Sequence, residues 1–167
     1  MRVLAKRPLL LAAVGMSILL VDQVSKLLII ELVMQPPRDI PLLPFLNVTL
    51  GFNRGVSFGL FADQLGEMPG VLGMFKIAVV ITILVWASTV KSLFQAIALG
   101  AIAGGAVGNI IDRLRDGAVT DFIDVSVESW HWPAFNIADV AIVLGTAAII
   151  LHSIRPVGES ERFRNQQ

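Results

Sequence analysis

Three aspartates stand out by their surroundings: Asp22, Asp121 and Asp139 sit in or beside long apolar stretches, with Lys26, Asn53, Asn109, Asp112, Arg113 and Asn136 distributed around them. Two carboxylates held close together cannot both ionise cheaply, so they share a proton. One can then act as base on a water while the other donates to a carbonyl oxygen. That is the chemistry of aspartic peptide hydrolysis, and Asp121 with Asp139 is the better dyad on chemical grounds, although spacing alone does not show that they meet. A serine activated by a lysine is the rival, because Ser25 adjoins Lys26, and Ser57 and Lys76 are also present. Neighbouring residues on a helix do not face each other, which weakens the first pair; nothing in the sequence fixes the second. The chain has no cysteine, so thiolate nucleophiles, disulfides and thiolate metal sites are absent, and His131 and His152 leave little for zinc.

The elements that position these groups are set by composition. Hydrophobic residues make up 55% of the 167-residue chain and charged residues 16%, and the mean hydropathy is +0.76. A water-soluble globule is excluded. With 13 Lys+Arg against 13 Asp+Glu there is no formal net charge, so no nucleic-acid partner is expected. Four stretches are long and apolar enough to cross a hydrocarbon core: about 8–30, 71–90, 92–111 and 134–154. The first carries Asp22 and Lys26, and the last carries Asp139. Arg2, Lys6 and Arg7 ahead of an apolar run could suggest a signal peptide. The run continues past Lys26 without a small-residue cleavage pattern, so an uncleaved first helix is expected.

The fold expected is an all-α integral membrane protein, a four-transmembrane-helix bundle forming one domain over 1–167 with a small β-containing cap. Arg2, Lys6, Arg7, Lys91, Arg155, Arg162 and Arg164 lie on one side, against Arg38, Arg54, Arg113 and Arg115 on the other. Both termini are therefore expected in the cytoplasm. The outer segments, about 31–70 and 112–133, supply the cap. Residues 46–53 alternate in polarity with period two, and 119–125 form a matching strand candidate. Gly100, Gly104 and Gly108 make a small-residue ladder, which reads as helix packing.

Helix one runs outward and helix four inward, so Asp22 and Asp139 can share a depth near the outer boundary. Asn109, Asp112 and Arg113 end the third helix at the same level, and Asp121 precedes the fourth. A carboxylate inside a membrane span is a functional candidate by default. The bland readings stand beside it: Asp22 and Lys26, four apart, can neutralise each other. Arg113 can be a structural partner of the carboxylates, and Trp130, Trp132 and Phe135 an interfacial belt. From residues alone, the site is an outer-boundary hydrolase or a proton relay.

Five motifs now bear on that choice: Asp22-Gln23-Val24-Ser25-Lys26, Asn53-Arg54-Gly55-Val56-Ser57-Phe58-Gly59, Gly108-Asn109-Ile110-Ile111-Asp112-Arg113, Asp121-Phe122-Ile123-Asp124 and Phe135-Asn136-Ile137-Ala138-Asp139. In this order on four apolar segments, the chain resembles the bacterial lipoprotein signal peptidases, type II signal peptidases that are aspartic proteases of the inner membrane. The resemblance implies Asp121 and Asp139 as the catalytic pair, not Asp112 or Asp124. It implies Asp22, Lys26, Asn53, Gly55, Asn109, Arg113 and Asn136 as supporting or substrate-binding residues.

It further implies a diacylglyceryl-modified prolipoprotein as substrate, cut just before the lipidated cysteine at the periplasmic face. Membrane lipids are the expected surroundings, a monomer the expected state, and no metal or organic cofactor is expected. The alternative is a small proton-coupled membrane transporter or ion relay, which requires charges spread through the membrane depth. The inner halves of the four apolar segments are almost free of charge, and this favours a one-sided site.

Overall fold

The computed structural model describes residues 6–54, 69–90 and 92–154. Helix α1 spans Lys6–Leu28, with Pro8 in its first turn where a missing N–H costs no helical bond, and it continues into a π-helical turn at Ile29–Val33. Strands β1 (Ile40–Leu43) and β2 (Leu46–Asn53) follow, then α2 (Pro69–Thr89) and α3 (Leu93–Asp116). The chain ends with β3 (Val119–Val127), the short β4 (Trp130–His131) and α4 (Ile137–Ser153).

Two boundaries differ from the sequence expectation, each for a local reason. Helix α3 runs past 111 to Asp116 and stops where Gly117 takes φ 73°, a left-handed cap natural to glycine. Asp112 and Arg113 therefore lie in the last turns of the helix, with Arg115 and Asp116 beyond them. Helix α4 begins at Ile137, not 134, because Asn136 caps it while Phe135 is held in a bridge to Ile123. The strand expectations for 46–53 and 119–125 coincide with β2 and β3.

Helix α3 is the central element, packed against α1, α2 and α4. Its glycines permit the approach. A Cβ on Gly104 would run into the backbone carbonyl oxygen of Gly15, and one on Gly100 would come within 2.7 Å of the Leu11 carbonyl oxygen. On the opposite flank a Cβ on Gly105 would lie 2.5 Å from the Ala138 carbonyl oxygen. Gly100 and Gly104 of the ladder thus make a backbone-to-backbone seam between helices, while Gly108 faces the side chain of Asp22.

The four strands form one antiparallel sheet in the order β1-β2-β3-β4. Strand β2 comes from the segment between α1 and α2, and β3 from the segment between α3 and α4. Their pairing, Gly51 opposite Asp121 and Asn53 opposite Val119, ties the two segments together at one end of the helices.

Burial is inverted relative to a soluble protein. Leu9, Leu20, Leu27, Leu144 and Leu151 are more than half exposed, while Asp22, Asp112 and Asn136 are 0% exposed and Lys26 is 1% exposed. Apolar outside and charged inside is the arrangement that lipid surroundings demand. Among the described residues, two helices are long and apolar enough to cross a membrane, Arg7–Val33 and Leu93–Asp116, while Ile77–Ala87 and Ile137–Ser153 are shorter apolar helices.

Candidate active site

The site is assembled from three helix ends and the sheet. The last turns of α3 present Asn109, Asp112 and Arg113, α1 presents Asp22, Gln23 and Lys26 one turn apart, and β3 carries Thr120 and Asp121. At the start of α4, Asn136 and Asp139 form a capping box: the Asn136 side chain accepts from Asp139 N at 3.0 Å, and Asp139 Oδ2 accepts from Asn136 N at 3.3 Å.

The deepest layer is ionic. Lys26 Nζ lies 2.8 Å from Asp22 Oδ2 and 2.7 Å from Asp112 Oδ2. The other oxygen of Asp112 accepts from Gln23 Nε2 at 2.8 Å. Asp22 Oδ1 accepts from the backbone N–H of Ala138 at 3.0 Å, which pins the first turn of α4 to α1. Lys26 is thus shared between two aspartates of different helices, not confined to its own i,i+4 neighbour.

Above it lie two asparagines. Lys26 Nζ donates to Asn109 Oδ1 at 3.1 Å, and Asn109 Nδ2 donates to Asp139 Oδ1 at 2.8 Å. Asn136 Nδ2 donates to Asp121 Oδ1 at 2.6 Å and reaches Asn109 Oδ1 at 3.2 Å. Asn53 Nδ2, at the end of β2, donates to Asp121 Oδ2 at 3.1 Å. Each oxygen of Asp121 and Asp139 therefore receives a donor, and Asn136 touches both carboxylates.

Arg113 donates to the Asn109 carbonyl oxygen at 3.1 Å, and its charge acts on Asp121, Asp139 and Asp112. Burial pushes the Asp121 carboxyl from 3.8 up to about 6; the Asn53 hydrogen bond pulls it down, the negative Asp139 adds to the rise, and Asn136 opposes it. Such a carboxyl holds a proton far more readily than an ordinary aspartate.

Asp121, Asp139, Asn53, Asn109 and Arg113 line an open groove of about 650 Å³, whose remaining wall is largely apolar: Val79 of α2, Ala106 of α3, Trp132, Phe135, and Val140 and Val143 of α4. Asp22, Lys26 and Asp112 lie behind this wall.

The structure brings together Asp22, Lys26, Asn53, Asn109, Arg113, Asp121, Asn136 and Asp139, all singled out in the sequence. Gly55, Ser57 and the side chain of Lys76 lie outside the described residues. Ser25 Oγ donates to the Asp22 carbonyl oxygen of its own helix at 2.7 Å, and this turns it away from nucleophilic use. Asp124 belongs elsewhere, bonded to Asn47 Nδ2 at 2.8 Å and lying 2.9 Å from His131 Nδ1. Burial raises its carboxyl, but the hydrogen bonds from His131 and Asn47 prevail and hold it below the ordinary aspartate range.

Two members of the site, Gln23 and Thr120, carry little signal in the sequence. Gln23 is neutral and stood inside a quoted motif; Thr120, whose N–H reaches Asp112 Oδ2 at 3.4 Å, offered no signal beyond adjoining Asp121. Among the described residues no cluster of three or more His, Cys, Asp or Glu is placed to hold a metal ion.

The chain is similar along most of its length to curated lipoprotein signal peptidases. It is 43% identical over 144 residues to the lipoprotein signal peptidase of Methylorubrum extorquens (strain PA1), covering 84% of this chain and 83% of that one. It is 44% identical over 147 residues to that of Polynucleobacter necessarius subsp. necessarius (strain STIR1), covering 86% and 88%. Two solved bacterial membrane enzyme structures, obtained by the in meso method at 2.3 and 1.9 Å resolution, superpose with TM-scores of 0.75 and 0.73. Their identities are 27% and 28%, covering 87% of this chain and 88% and 92% of theirs. The family model described as signal peptidase (SPase) II matches residues 14–155, and the chain belongs to the signal peptidase II family.

Proposed function

We propose that this chain is an aspartic endopeptidase that removes the signal peptide from diacylglyceryl-modified prolipoproteins, cutting before the lipidated cysteine. The observation that carries the reading is the pair Asp121 and Asp139, joined through Asn136 and facing an apolar groove. Asp121 carries the shared proton and Asp139 is the base. Asp139 takes a proton from a water between the carboxylates, the hydroxide attacks the scissile carbonyl carbon, and Asp121 gives its proton to the carbonyl oxygen. The tetrahedral intermediate collapses as the C–N bond breaks, the proton held by Asp139 passing to the departing amine and the carbonyl re-forming as its hydroxyl proton returns to Asp121.

Asn53, Asn109 and Asn136 orient the two carboxylates, Arg113 balances the negative charge that builds at the reacting centre, and Asp22 and Lys26 hold the framework behind them. Gly55 stands two residues after Asn53 and would let backbone pass close to substrate. The apolar groove suits a signal helix and acyl chains, and the wall from Val79 to Val143 is the surface they would meet.

All four helices cross the inner membrane as one peptidase domain, the sheet capping the periplasmic side and both termini lying in the cytoplasm. Helix α4, at 17 residues, is about 26 Å long at about 1.5 Å per residue, close to the roughly 30 Å of a hydrocarbon core. The protein acts as a monomer.

The test is cleavage in detergent of a lipidated precursor beside its unlipidated form, with Asp121→Asn and Asp139→Asn as controls. Processing of the lipidated form alone, lost in both variants, is the expected result. Cleavage that survives both substitutions would sink the assignment.

A further inference from the structure

The two ends of an asparagine side chain are nearly the same shape, so only their partners decide which end faces where. Around Asn109 those partners have fixed polarity. The Lys26 ammonium can only donate, and it lies 3.1 Å from Asn109 Oδ1. The Asn136 amide nitrogen donates to the same oxygen at 3.2 Å, its own orientation set by Asp139 N, which donates to Asn136 Oδ1 at 3.0 Å. The nitrogen end of Asn109 is thereby left for Asp139 Oδ1, 2.8 Å away.

Lys26 does not reach the groove. It is 1% exposed, it is absent from the groove wall, and Asp22 and Asp112 hold it from either side. Holding the framework does not by itself account for a buried cation here, since buried ion sets replaced by apolar groups are often no less stable. Its donor-only character toward Asn109 is what an apolar replacement could not supply.

We propose that Lys26 is a positioning residue for the reaction, acting through Asn109: it holds that amide with its NH₂ on Asp139 and bars the flipped orientation. The inference rests on the reading of Asp121 and Asp139 as the dyad. Without Lys26 the donor left on that oxygen among the described residues is Asn136 Nδ2, at 3.2 Å and already engaged with Asp121 Oδ1 at 2.6 Å and the Thr120 carbonyl oxygen at 3.3 Å; the amide can then turn its oxygen toward Asp139, a contact between two acceptors that Asp139 accommodates only by holding a proton. An Asp139 that already holds a proton cannot take one from water. The other charged groups acting on Asp139 are Asp22 from α1, Arg113 from α3 and Asp121 from β3, and all three remain in the variants below.

The experiment is a double-mutant cycle on turnover of a diacylglyceryl-modified precursor in detergent. Lys26→Met is combined with Asp112→Asn, because the single change would leave two buried aspartates without their cation. The pair keeps one net negative charge, as in the native set of Asp22, Asp112 and Lys26. Thermal unfolding establishes that each variant is folded at the assay temperature.

The expected result is a fall in kcat of about 10²-fold, the scale of a misplaced catalytic group, with KM within about twofold of wild type. In an Asn109→Leu background the same pair of changes is expected to cost less than about threefold more, because the residue through which Lys26 acts is gone. A folded double variant with wild-type kcat overturns the inference. So does a loss that falls on KM, or a full second loss in the Asn109→Leu background. Should the double variant not fold, Lys26→Gln takes its place: it can still hydrogen-bond its neighbours but is no longer donor-only, and wild-type kcat there is equally fatal. Failure of the wild-type protein to cleave would count against the peptidase reading instead, so the two failures are separable.

Discussion

Asn53→Val tests the proposal that Asp121 carries the proton of the pair. Asn53 Nδ2 donates to Asp121 Oδ2 at 3.1 Å and favours the charged carboxylate, pulling against burial, which with Asp139 brings the group to about 6. Valine suits the end of a strand, removes the donor and keeps water from taking its place. A hydrogen bond to a charged group contributes about 1.5–3 kcal/mol, which at about 1.36 kcal/mol per pH unit corresponds to a rise of about 1–2 units. If Asp121 must be protonated in the free enzyme, the alkaline limb of kcat/KM lies near pH 6 in the wild type and moves to about 7–8 in the variant. The limb belongs to the coupled pair, and the direction of movement is the test. Stability carries the same sign. A carboxyl raised from 3.8 to about 6 contributes stability that is fully present below the unfolded value and is lost as pH rises through the folded one. In Asn53→Val that loss extends to higher pH. The assay is a pH series of kcat/KM on the lipidated precursor, paired with unfolding midpoints over the same range. An alkaline limb that stays in place or moves downward refutes the assignment of the proton to Asp121.

Four further outcomes follow from the packing and the hydrogen bonds. Gly104→Ala drives a Cβ into the Gly15 carbonyl oxygen, so α1 and α3 must separate; a stability loss of about 1–3 kcal/mol is expected from thermal unfolding in detergent. Gly108→Ala instead places its Cβ 2.6 Å from Asp22 Oδ2, a side chain that holds both Lys26 and the Ala138 N–H, so turnover is expected to fall further than stability does. Asp124→Asn leaves the groove untouched and should keep turnover within about fivefold of wild type, against losses on the order of 10³-fold or more for Asp139→Asn. Because the Asp124 carboxyl is held low, its contribution to stability is present at neutral pH and is lost as pH falls through that low value; acid titrations of the variant should lack this component. Asn136→Ala removes a helix cap, costing about 1 kcal/mol in unfolding experiments, and also removes the 2.6 Å donor to Asp121, so its kcat should fall well beyond what the stability change explains.

Local pattern made some of this architecture legible and not the rest. The alternation over 46–53 predicts β2, because a half-buried strand writes its period into neighbouring residues, and 119–125 is the matching candidate that falls within β3. The uncharged stretch ends at 111 because Asp112 is its first charge, yet the helix itself runs on to the stop signal at Gly117. The start of α4 was placed at 134 because Ala134 and Phe135 extend the apolar run; the Asn136-x-x-Asp139 spacing marked the cap. Residues of the site could be placed at one depth from helix direction alone. Their meeting depends on β2 pairing with β3 and on Lys26 reaching Asp112, contacts between segments far apart in the chain that no local period encodes.

The side chain of Asn136 shows why these levels cannot be separated. Its oxygen receives the Asp139 N–H and starts α4, while its nitrogen donates to Asp121. One planar amide therefore sets where the helix begins and how the two carboxylates sit relative to each other. Asp22 adds the link to α1 by accepting the Ala138 N–H, and Asn109 adds the link to α3 through Asp139. The ends of three helices are thus fixed by hydrogen bonds to one another, in a region buried from water and lined with charge, where each unmade bond is expensive. Helix α2 stands outside this set: its member of the groove wall among the described residues is Val79, an apolar side chain with no polar claim on the two carboxylates. The geometry of the carboxylates rests on the polar network of α1, α3, α4 and the sheet, and the shape of the apolar wall rests partly on α2. A substitution at Val79 should therefore change which substrates fit before it changes how the reacting groups are aligned.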